Sequence, residues 1–124
     1  MSDVESKRIE EIEAYAGPNA IPGIRFRPAA RKLGVTAWGM NVIEIASGCS
    51  AYPEHDHVKD GQEEVYLCLR GGGTLHAGDA DIALEPGTFV RVAPGQKRKI
   101  LPGSAGITVL ALGATPGKAY EPRR

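Results

Sequence analysis

The stretch Tyr52-Pro-Glu-His-Asp-His-Val-Lys-Asp-Gly-Gln-Glu-Glu-Val-Tyr66 lies near the middle of the chain and carries its most informative pattern. It places His55 and His57 two residues apart and Glu64 at the start of an apolar run. Side chains at positions i and i+2 of a β-strand point to the same face, so both imidazoles can approach one point. Two imidazoles and one carboxylate suit divalent iron, manganese, nickel or zinc. The pattern therefore predicts a metal site formed by His55, His57 and Glu64.

The length and charge of the chain exclude several classes of protein. Its 124 residues, 42% of them hydrophobic, fit one domain with one core. The 15 Lys and Arg balance the 15 Asp and Glu, so no net field attracts nucleic acid or an anionic membrane. No apolar stretch approaches the roughly 20 residues of a membrane helix, and the acidic start is unlike a signal peptide. We expect a cytoplasmic protein with neither a nucleic-acid nor a membrane partner.

The cysteine usage fits the same compartment. Cys49 and Cys68, the two cysteines of the chain, are expected to be free thiols, because a reducing compartment disfavours disulfides. A single bridge between them remains an alternative.

The first third of the chain differs in character from the rest. Residues 3–16 lack Gly and Pro and carry apolar side chains at near-helical spacing, which predicts a short amphipathic helix that ends at Gly17. Residues 19–32 contain Pro22 and Pro28 and are the most basic region, so an extended arm is expected there. Its Arg25, Arg27 and Arg31 are interpreted as surface charges. A lid, or a strand donated across a dimer, is the alternative.

From Val35 onward the chain reads as short β-strands bounded by Gly, Pro or Asp. The predicted strands are Val35–Ala46, Glu64–Leu69, Thr74–His76, Asp81–Leu84, Thr88–Val92, Lys99–Leu101 and Ile107–Leu112. Strands about ten residues apart with no helix between them predict an all-β antiparallel sandwich or small barrel. The predicted organisation is an N-terminal helix and basic arm (1–34), a β-barrel (35–114) and a C-terminal tail (115–124).

The sequence resembles the cupin superfamily in two motifs, over roughly residues 35–112. The first cupin motif has a Gly, a His-x-His pair, a Glu and a later Gly, and the matching residues here are Gly48, His55, His57, Glu64 and Gly71. The gap between the histidines and the glutamate is longer than usual, which we assign to a loop expansion at residues 59–62. Glu63 is a rival for the ligand position, but Glu64 has the better spacing to the final glycine.

The second cupin motif departs from the family pattern at its metal ligand. The family has a Gly followed by Pro-x-Gly-x-x-His, and the matching stretch here begins at Gly87. Ala93 stands at the proline position, Gly95 is retained, and Arg98 replaces the histidine. Arginine is effectively always protonated and is therefore a poor metal ligand.

The resemblance implies a double-stranded β-helix, or jelly-roll, barrel with a metal near one mouth and a small molecule as ligand. Cupins include oxygenases, isomerases, epimerases, decarboxylases and binding proteins without catalysis, so the question whether this chain is an enzyme stays open. Because cupin barrels often pair, we expect a homodimer. Its contact surface would include residues 35–46 and the N-terminal arm.

Strand alternation predicts which neighbours of the site point inward. Tyr66 shares the face of Glu64 and is a candidate to bind substrate, whereas Cys68 is expected to fill core space. Arg98 would face the interior, where an unpaired charge is costly. It would pair either with Glu64 or with the carboxylate or phosphate of a bound anion, unless it is exposed to solvent.

Other distinctive residues receive structural interpretations. His76 follows the glycine cluster and is expected to be a structural histidine, and the run Gly71-Gly-Gly73 is expected to be a turn. The larger apolar side chains are interpreted as core or subunit-contact residues: Phe26, Trp38, Met40 and Phe89.

Two functions follow from these observations. The leading hypothesis is a cupin that binds a small anionic or polyhydroxylated molecule next to a divalent metal on His55, His57 and Glu64, as an oxygenase or an isomerase if it is an enzyme. The alternative is a metal-free ligand-binding or regulatory module, without a cofactor, in which a Glu64–Arg98 pair occupies the site.

Overall fold

The computed structural model describes residues 3–122 of the chain, which fold around one antiparallel β-sheet. Within this range the strands are β1 (Ile24–Arg27), β2 (Gly39–Ile45), β3 (Glu63–Ala77), β4 (Ala80–Leu84), β5 (Phe89–Val92) and β6 (Lys99–Ala114). Their order in the sheet is β1-β2-β6-β3-β4, and β5 pairs with β3. The predicted all-β jelly-roll class is confirmed. The first two residues of the predicted segment 1–34 and the last two of 115–124 lie outside the described residues.

The glycine cluster lies inside a strand and not in a turn, contrary to the sequence prediction. The β3–β6 ladder shows register shifts between Cys68 and Arg70 and between Gly71 and Gly73. Gly71 has a φ of 69°, and a side chain there would collide with the backbone carbonyl of Gly106. The glycines therefore let two long strands bend past each other at bulges. The prediction of separate short strands was wrong here because bulges and strand ends share the same residue signals.

The two turns around β4 agree with their sequence signals. Gly78-Asp79 joins β3 to β4 as a two-residue hairpin loop, with Gly78 at a φ of 59°. After β4, the amide of Thr88 donates to the carbonyl of Glu85 at 2.9 Å, and Gly87 has a φ of 90°. Glycine adopts such positive φ values without steric penalty.

The predicted helix over residues 3–16 is not formed. The structure has a single 3-10 turn at Ile9–Glu11, and the backbone becomes extended at Ile12. Ile12 is buried against Ala29 and Val42, and its carbonyl accepts a hydrogen bond from Arg27 Nη1 at 2.8 Å. This carbonyl is thus held by a side chain of β1, and the segment lies against the sheet instead of continuing a helix.

The basic arm contains regular structure that the prolines were expected to prevent. β1 fits between Pro22 and Pro28 and pairs with β2 at the edge of the sheet, where proline is tolerated on either side. A short helix, α1 (Ala29–Leu33), follows and ends at Gly34, whose φ is 81°. Arg25 and Arg31 are exposed as expected. Arg27 is buried, and its Nε lies 2.6 Å from Glu44 Oε1, so its interpretation as a surface charge was wrong.

The main core lies inside the barrel. On β3 the alternation holds, since Tyr66 and Cys68 are each 1% exposed and pack with the inward residues of the other strands. Both cysteines are free thiols, as predicted. Phe26, Trp38 and Phe89 are 40%, 44% and 69% exposed, so of the two interpretations the core of this chain is excluded and the subunit contact stays a prediction. No helix in the described part of the chain is long and apolar enough to cross a membrane.

Candidate metal centre

The two histidines lie on the connection between β2 and β3, held against the segment that precedes β6. His55 forms an isolated antiparallel bridge with Arg98, with backbone hydrogen bonds of 3.1 and 2.9 Å. The amide of His57 donates to the carbonyl of Pro94 at 2.8 Å. This local extended pairing aims both imidazoles in one direction, as the i, i+2 spacing predicted.

Glu64, near the start of β3, brings its carboxylate to the two imidazoles. Its Oε1 lies 3.2 Å from His57 Nε2 and 3.9 Å from His55 Nε2. One potential ligand atom from each of the three residues lies within 4.8 Å of the others. The structure therefore brings together the three residues that the sequence singled out.

Hydrogen bonds on the far side of each ring fix the orientation of the imidazoles. His55 Nδ1 lies 3.0 Å from the carbonyl oxygen of Pro53, and His57 Nδ1 lies 3.1 Å from both carboxylate oxygens of Asp60. These partners only accept, so each Nδ1 carries the proton. With the proton on Nδ1, a neutral ring presents an unprotonated Nε2 to Glu64. Three acceptor atoms meet at one point, which requires a cation or an extra proton between them.

The charge of Glu64 is stabilised from several sides. The Tyr66 hydroxyl donates to its Oε1 at 2.8 Å, and Arg98 Nη2 lies 3.1 Å from the same atom. Burial alone would raise the pKa of Glu64, but its contacts with His55, Tyr66, His57 and Arg98 together outweigh burial and lower the pKa. The nearby carboxylate of Glu64 in turn raises the pKa of His55, against the effect of burial. The site therefore holds an ionised carboxylate.

Arg98 is fully buried behind Glu64 and does not line the cavity of the barrel. Its Nη1 donates to the carbonyl of Gln96 at 2.7 Å, whereas Nε and Nη2 have no hydrogen-bond acceptor among the described residues. Its interaction with Glu64 is therefore charge attraction at short distance without hydrogen-bond alignment. Of the alternatives that the sequence left open, the structure contains the internal pair of Glu64 and Arg98. Arg98 is not exposed to solvent.

The rival residues lie elsewhere. Glu63 Oε2 accepts a hydrogen bond from Arg91 Nε at 2.6 Å, on the outer face of the sheet. His76 Nδ1 lies 2.6 Å from Asp81 Oδ1 across the β3–β4 pair, and its side chain is 43% exposed. Neither belongs to the cluster of His55, His57 and Glu64. His76 is the satisfied structural histidine that the sequence predicted.

The cluster of His55, His57 and Glu64 opens into a cavity of about 490 Å³, a size common for small-molecule sites. Its polar lining comprises Tyr15, Asn19, Asn41, Tyr52, His55, His57, Gln62, Glu64, Tyr66 and Tyr120. Its apolar lining includes Ile21, Ile24, Phe26 and Ile43. Among the described residues that line it there is no lysine or arginine. Sequence reasoning missed the contribution of residues 15–26, although three bulky apolar side chains within a basic arm signal a buried face.

Two tyrosines next to the carboxylate are neutral hydrogen-bonding groups. Burial is the largest cause that raises the pKa of Tyr52, to about 12, and burial also raises the pKa of Tyr66. Both hydroxyls therefore keep their protons at neutral pH. Tyr66 is the residue that the sequence proposed as a ligand contact, whereas Tyr52 was overlooked because it precedes the histidine pair in a loop.

Space next to Glu64 comes from small residues on β6. Gly113 lies opposite Glu64 and Ala111 lies opposite Tyr66 in the β3–β6 register. A side chain at Gly113 would come within 2.8 Å of Gln62 Oε1 and 3.3 Å of Glu64 Cγ. The glycine therefore leaves the carboxylate room to face the cavity.

No protein-family model matches the sequence, and no curated protein matches it. Solved structures do match. A cupin protein from Bacteroides fragilis is 21% identical with a TM-score of 0.70, over 99% of this chain and 93% of that one. A sugar phosphate isomerase from a cupin superfamily, from Silicibacter pomeroyi, is 19% identical with a TM-score of 0.74, over 90% and 77%.

A third similar structure is a predicted oxalate decarboxylase from Thermotoga maritima. It is 20% identical with a TM-score of 0.71, over 90% of this chain and 99% of that one. At these identities the likeness establishes the fold and not the activity. The chain has the cupin fold, as the sequence motifs indicated.

Proposed function

We propose that this cupin-fold chain is a small-molecule-binding protein that holds one divalent transition metal on His55 Nε2, His57 Nε2 and the Glu64 carboxylate. The observation that carries the proposal is the convergence of three acceptor atoms, with each imidazole oriented by an acceptor on its Nδ1. Metal-binding histidines typically have such a partner on the second ring nitrogen. Iron, manganese, nickel and zinc all suit this ligand set.

The distances between the ligand atoms are compatible with such an ion. With metal–ligand bonds of about 2.1 Å, neighbouring ligand atoms in tetrahedral or octahedral sites lie about 3.0 to about 3.4 Å apart. His57 Nε2 and Glu64 Oε1 are already 3.2 Å apart. His55 Nε2, at 3.9 Å from the same oxygen, needs to move closer by about 0.5 to about 0.9 Å. The residues present therefore fit the metal.

Three protein ligands leave coordination positions open for a small molecule. A bound metal of this kind supplies Lewis-acid chemistry or oxygen activation, as in isomerases and oxygenases. Tyr66 keeps Glu64 oriented, and Tyr52, Asn41 and Gln62 offer hydrogen bonds to a ligand in the cavity. The similar structures include a sugar phosphate isomerase and a predicted oxalate decarboxylase, and both names indicate small-molecule ligands.

Metal analysis tests this function. Protein purified without chelator and then dialysed should retain about one equivalent of a divalent transition metal, or take it up from solution. His57→Ala should reduce the content to a small fraction, while His76→Ala, which removes a histidine bonded to Asp81 outside the cavity, should leave it unchanged. Retention of less than a tenth of an equivalent after reconstitution would refute the proposal.

The Glu64–Arg98 pair favours a second candidate, a metal-free ligand-binding or regulatory module. Arg98 lies 3.1 Å from Glu64 and provides a permanent positive charge to the carboxylate. In this case a ligand would bind equally well in the presence of a strong chelator. Loss of ligand binding on chelation would exclude this candidate. The homodimer and the cytoplasmic location stay predictions from the sequence.

A further inference from the structure

We infer that the ligand of this cavity is a small monoanion whose charged oxygen lies at the metal centre and whose remaining part is uncharged and partly apolar. The inference rests on the proposed metal site and defines its ligand class. It has two sources: the charge around the centre and the distribution of residues in the cavity lining.

The charged groups around the centre leave one positive charge to be balanced. Glu64 and Asp60 each contribute one negative charge, and Arg98, next to Glu64, contributes one positive charge. The two imidazoles are neutral when they bind a metal through Nε2. A divalent ion then brings the sum to one positive charge. A ligand with one negative charge neutralises this sum, whereas a dianion leaves an excess negative charge in a partly buried site.

Arg98 is the reason that the charges of the divalent ion and its surrounding residues do not already add up to zero. A neutral histidine at that position would leave Glu64 and Asp60 to balance a divalent ion without any ligand. The fully buried guanidinium cancels one of these carboxylates instead. The arginine therefore favours an anion in the open coordination positions although it does not line the cavity itself.

The rest of the lining cannot balance a second charge. The described lining residues include no lysine or arginine, and one wall is formed by Ile21, Ile24, Phe26 and Ile43. A second carboxylate or a phosphate placed against this wall would lose its hydration without gaining a charged partner. Apolar carbon atoms would instead be buried favourably there.

The N-terminal segment fixes this wall in place. The amide of Tyr15 donates to the carbonyl of Phe26 at 2.7 Å, and β1 pairs Ile24 with Ile45 and Phe26 with Ile43 on β2. Most of the apolar wall, and with it the preference for an apolar ligand, thus comes from residues 21–26. This segment lies outside the two cupin motifs.

Calorimetric titration of the zinc-loaded full chain tests the inference with four matched probes. These are 3-methylbutanoate, acetate, which lacks the apolar part, succinate, which adds a second charge, and 3-methylbutanamide, which lacks the charge. We expect 3-methylbutanoate to bind about tenfold or more tightly than each of the other three, from burial of its alkyl group and from charge neutralisation.

Single substitutions test whether the apolar wall of the cavity causes the preference for 3-methylbutanoate. Phe26→Ala should reduce the advantage of 3-methylbutanoate over acetate several-fold, whereas Phe89→Ala, the same change at an exposed phenylalanine outside the cavity, should leave it intact. Ile21→Lys should improve binding of succinate, because it places a cation on the apolar wall.

The outcomes distinguish this inference from the function on which it rests. Zinc uptake followed by equal binding of the four probes, or by tighter binding of succinate, overturns the ligand class and leaves the metal site standing. A Phe26→Ala effect no larger than that of Phe89→Ala also overturns it. Failure of the chain to take up zinc overturns the metal site and the ligand class together.

Discussion

The guanidinium of Arg98 lies 3.1 Å from the carboxylate of Glu64 while being fully excluded from solvent. This cation adds to the contacts with His55, Tyr66 and His57 that together keep the carboxylate ionised without any metal. The arginine therefore does not simply remove a metal ligand from the family pattern. It helps to keep the Glu64 carboxylate ionised, and it adds one positive charge next to the proposed metal ligands.

Replacement of Arg98 by methionine tests the internal pair. Removal of one partner of a buried ion pair leaves the other charge uncompensated, so Arg98→Met should lower the free energy of unfolding of the metal-free protein by about 3 kcal/mol. Added to Glu64→Gln, it should cost less than the sum of the two single changes. Urea unfolding in the presence of chelator measures both. Strict additivity would show that the two charges are not coupled.

Replacement of Arg98 by histidine should increase metal affinity. The change supplies a third imidazole where the cupin motif has one and removes a positive charge next to the ligands. We expect zinc to bind at least about tenfold more tightly, measured by competition with a chromophoric chelator. Circular dichroism establishes that the variant is folded. A folded variant with unchanged affinity would contradict the placement of position 98 within reach of the proposed metal ligands.

Asp60 should tune metal binding through His57. It accepts the Nδ1 proton of His57 at 3.1 Å, and loss of such a partner typically reduces metal affinity about 10- to 100-fold. Asp60→Asn should therefore weaken zinc binding by an amount in this range. Asp81→Asn is a matched control, because Asp81 bonds His76 in the same way outside the cavity. Equal affinities of the two variants would remove Asp60 from the site.

The metal-free site should show a defined pH dependence. The pKa of His55 is raised above its ordinary value of 6.5, so its charged contact with Glu64 stabilises the fold fully below that pH and is lost as pH rises through the folded-state pKa. The pKa of Glu64 is lowered from 4.5, so its contribution is present above that pH and is lost as pH falls through the folded-state pKa.

The contact should therefore stabilise the metal-free protein most between about pH 4.5 and pH 6.5. Proton NMR titration should place the midpoint of His55 above that of an unperturbed histidine. Glu64→Gln should return the midpoint toward the ordinary value. A His55 midpoint that does not respond to Glu64→Gln would contradict the contact.

The predicted homodimer has a direct test in light scattering at micromolar concentration. Trp38 and Phe26 lie in the regions that the sequence proposed for the contact, and both are substantially exposed in the single chain. Large exposed apolar side chains of this kind are typical of interfaces. We expect twice the mass of one chain, and a shift toward the monomer for Trp38→Ala. A monomer at all concentrations tested would refute the homodimer.

The sequence predicted the chemistry of the site better than its surroundings. Alternation along extended backbone, a local property, was sufficient to pair His55 with His57, and the spacing of the cupin motif selected Glu64 over Glu63. The sequence also indicated the charged partner of Glu64, since a buried arginine must be paired. By contrast, Asp60 and Tyr52 lie in a loop whose path depends on contacts with the segment before β6, so no local periodicity reveals their positions.

The N-terminal region shows the same limit. Residues 3–16 have helical spacing, but the burial of Ile12 and the hydrogen bond from Arg27 to its carbonyl override local propensity. The place of Phe26 on the cavity wall depends on β1 pairing with β2, a contact between distant parts of the chain. Propensity describes neighbours in sequence, whereas these features arise from partners in space.

Gly113 lines the cavity next to Glu64, and its lack of a side chain leaves space there. Because β6 presents only a hydrogen atom opposite Glu64, the space beside the carboxylate depends on a backbone position that offers no side chain as a metal ligand. Substitution of Gly113 by alanine and then by serine would reduce the space in the cavity next to Glu64. The atoms proposed to bind the metal would stay chemically the same. Because the added Cβ would also press on Glu64 Cγ, the size of the bound molecule and the affinity for the metal are coupled at this position.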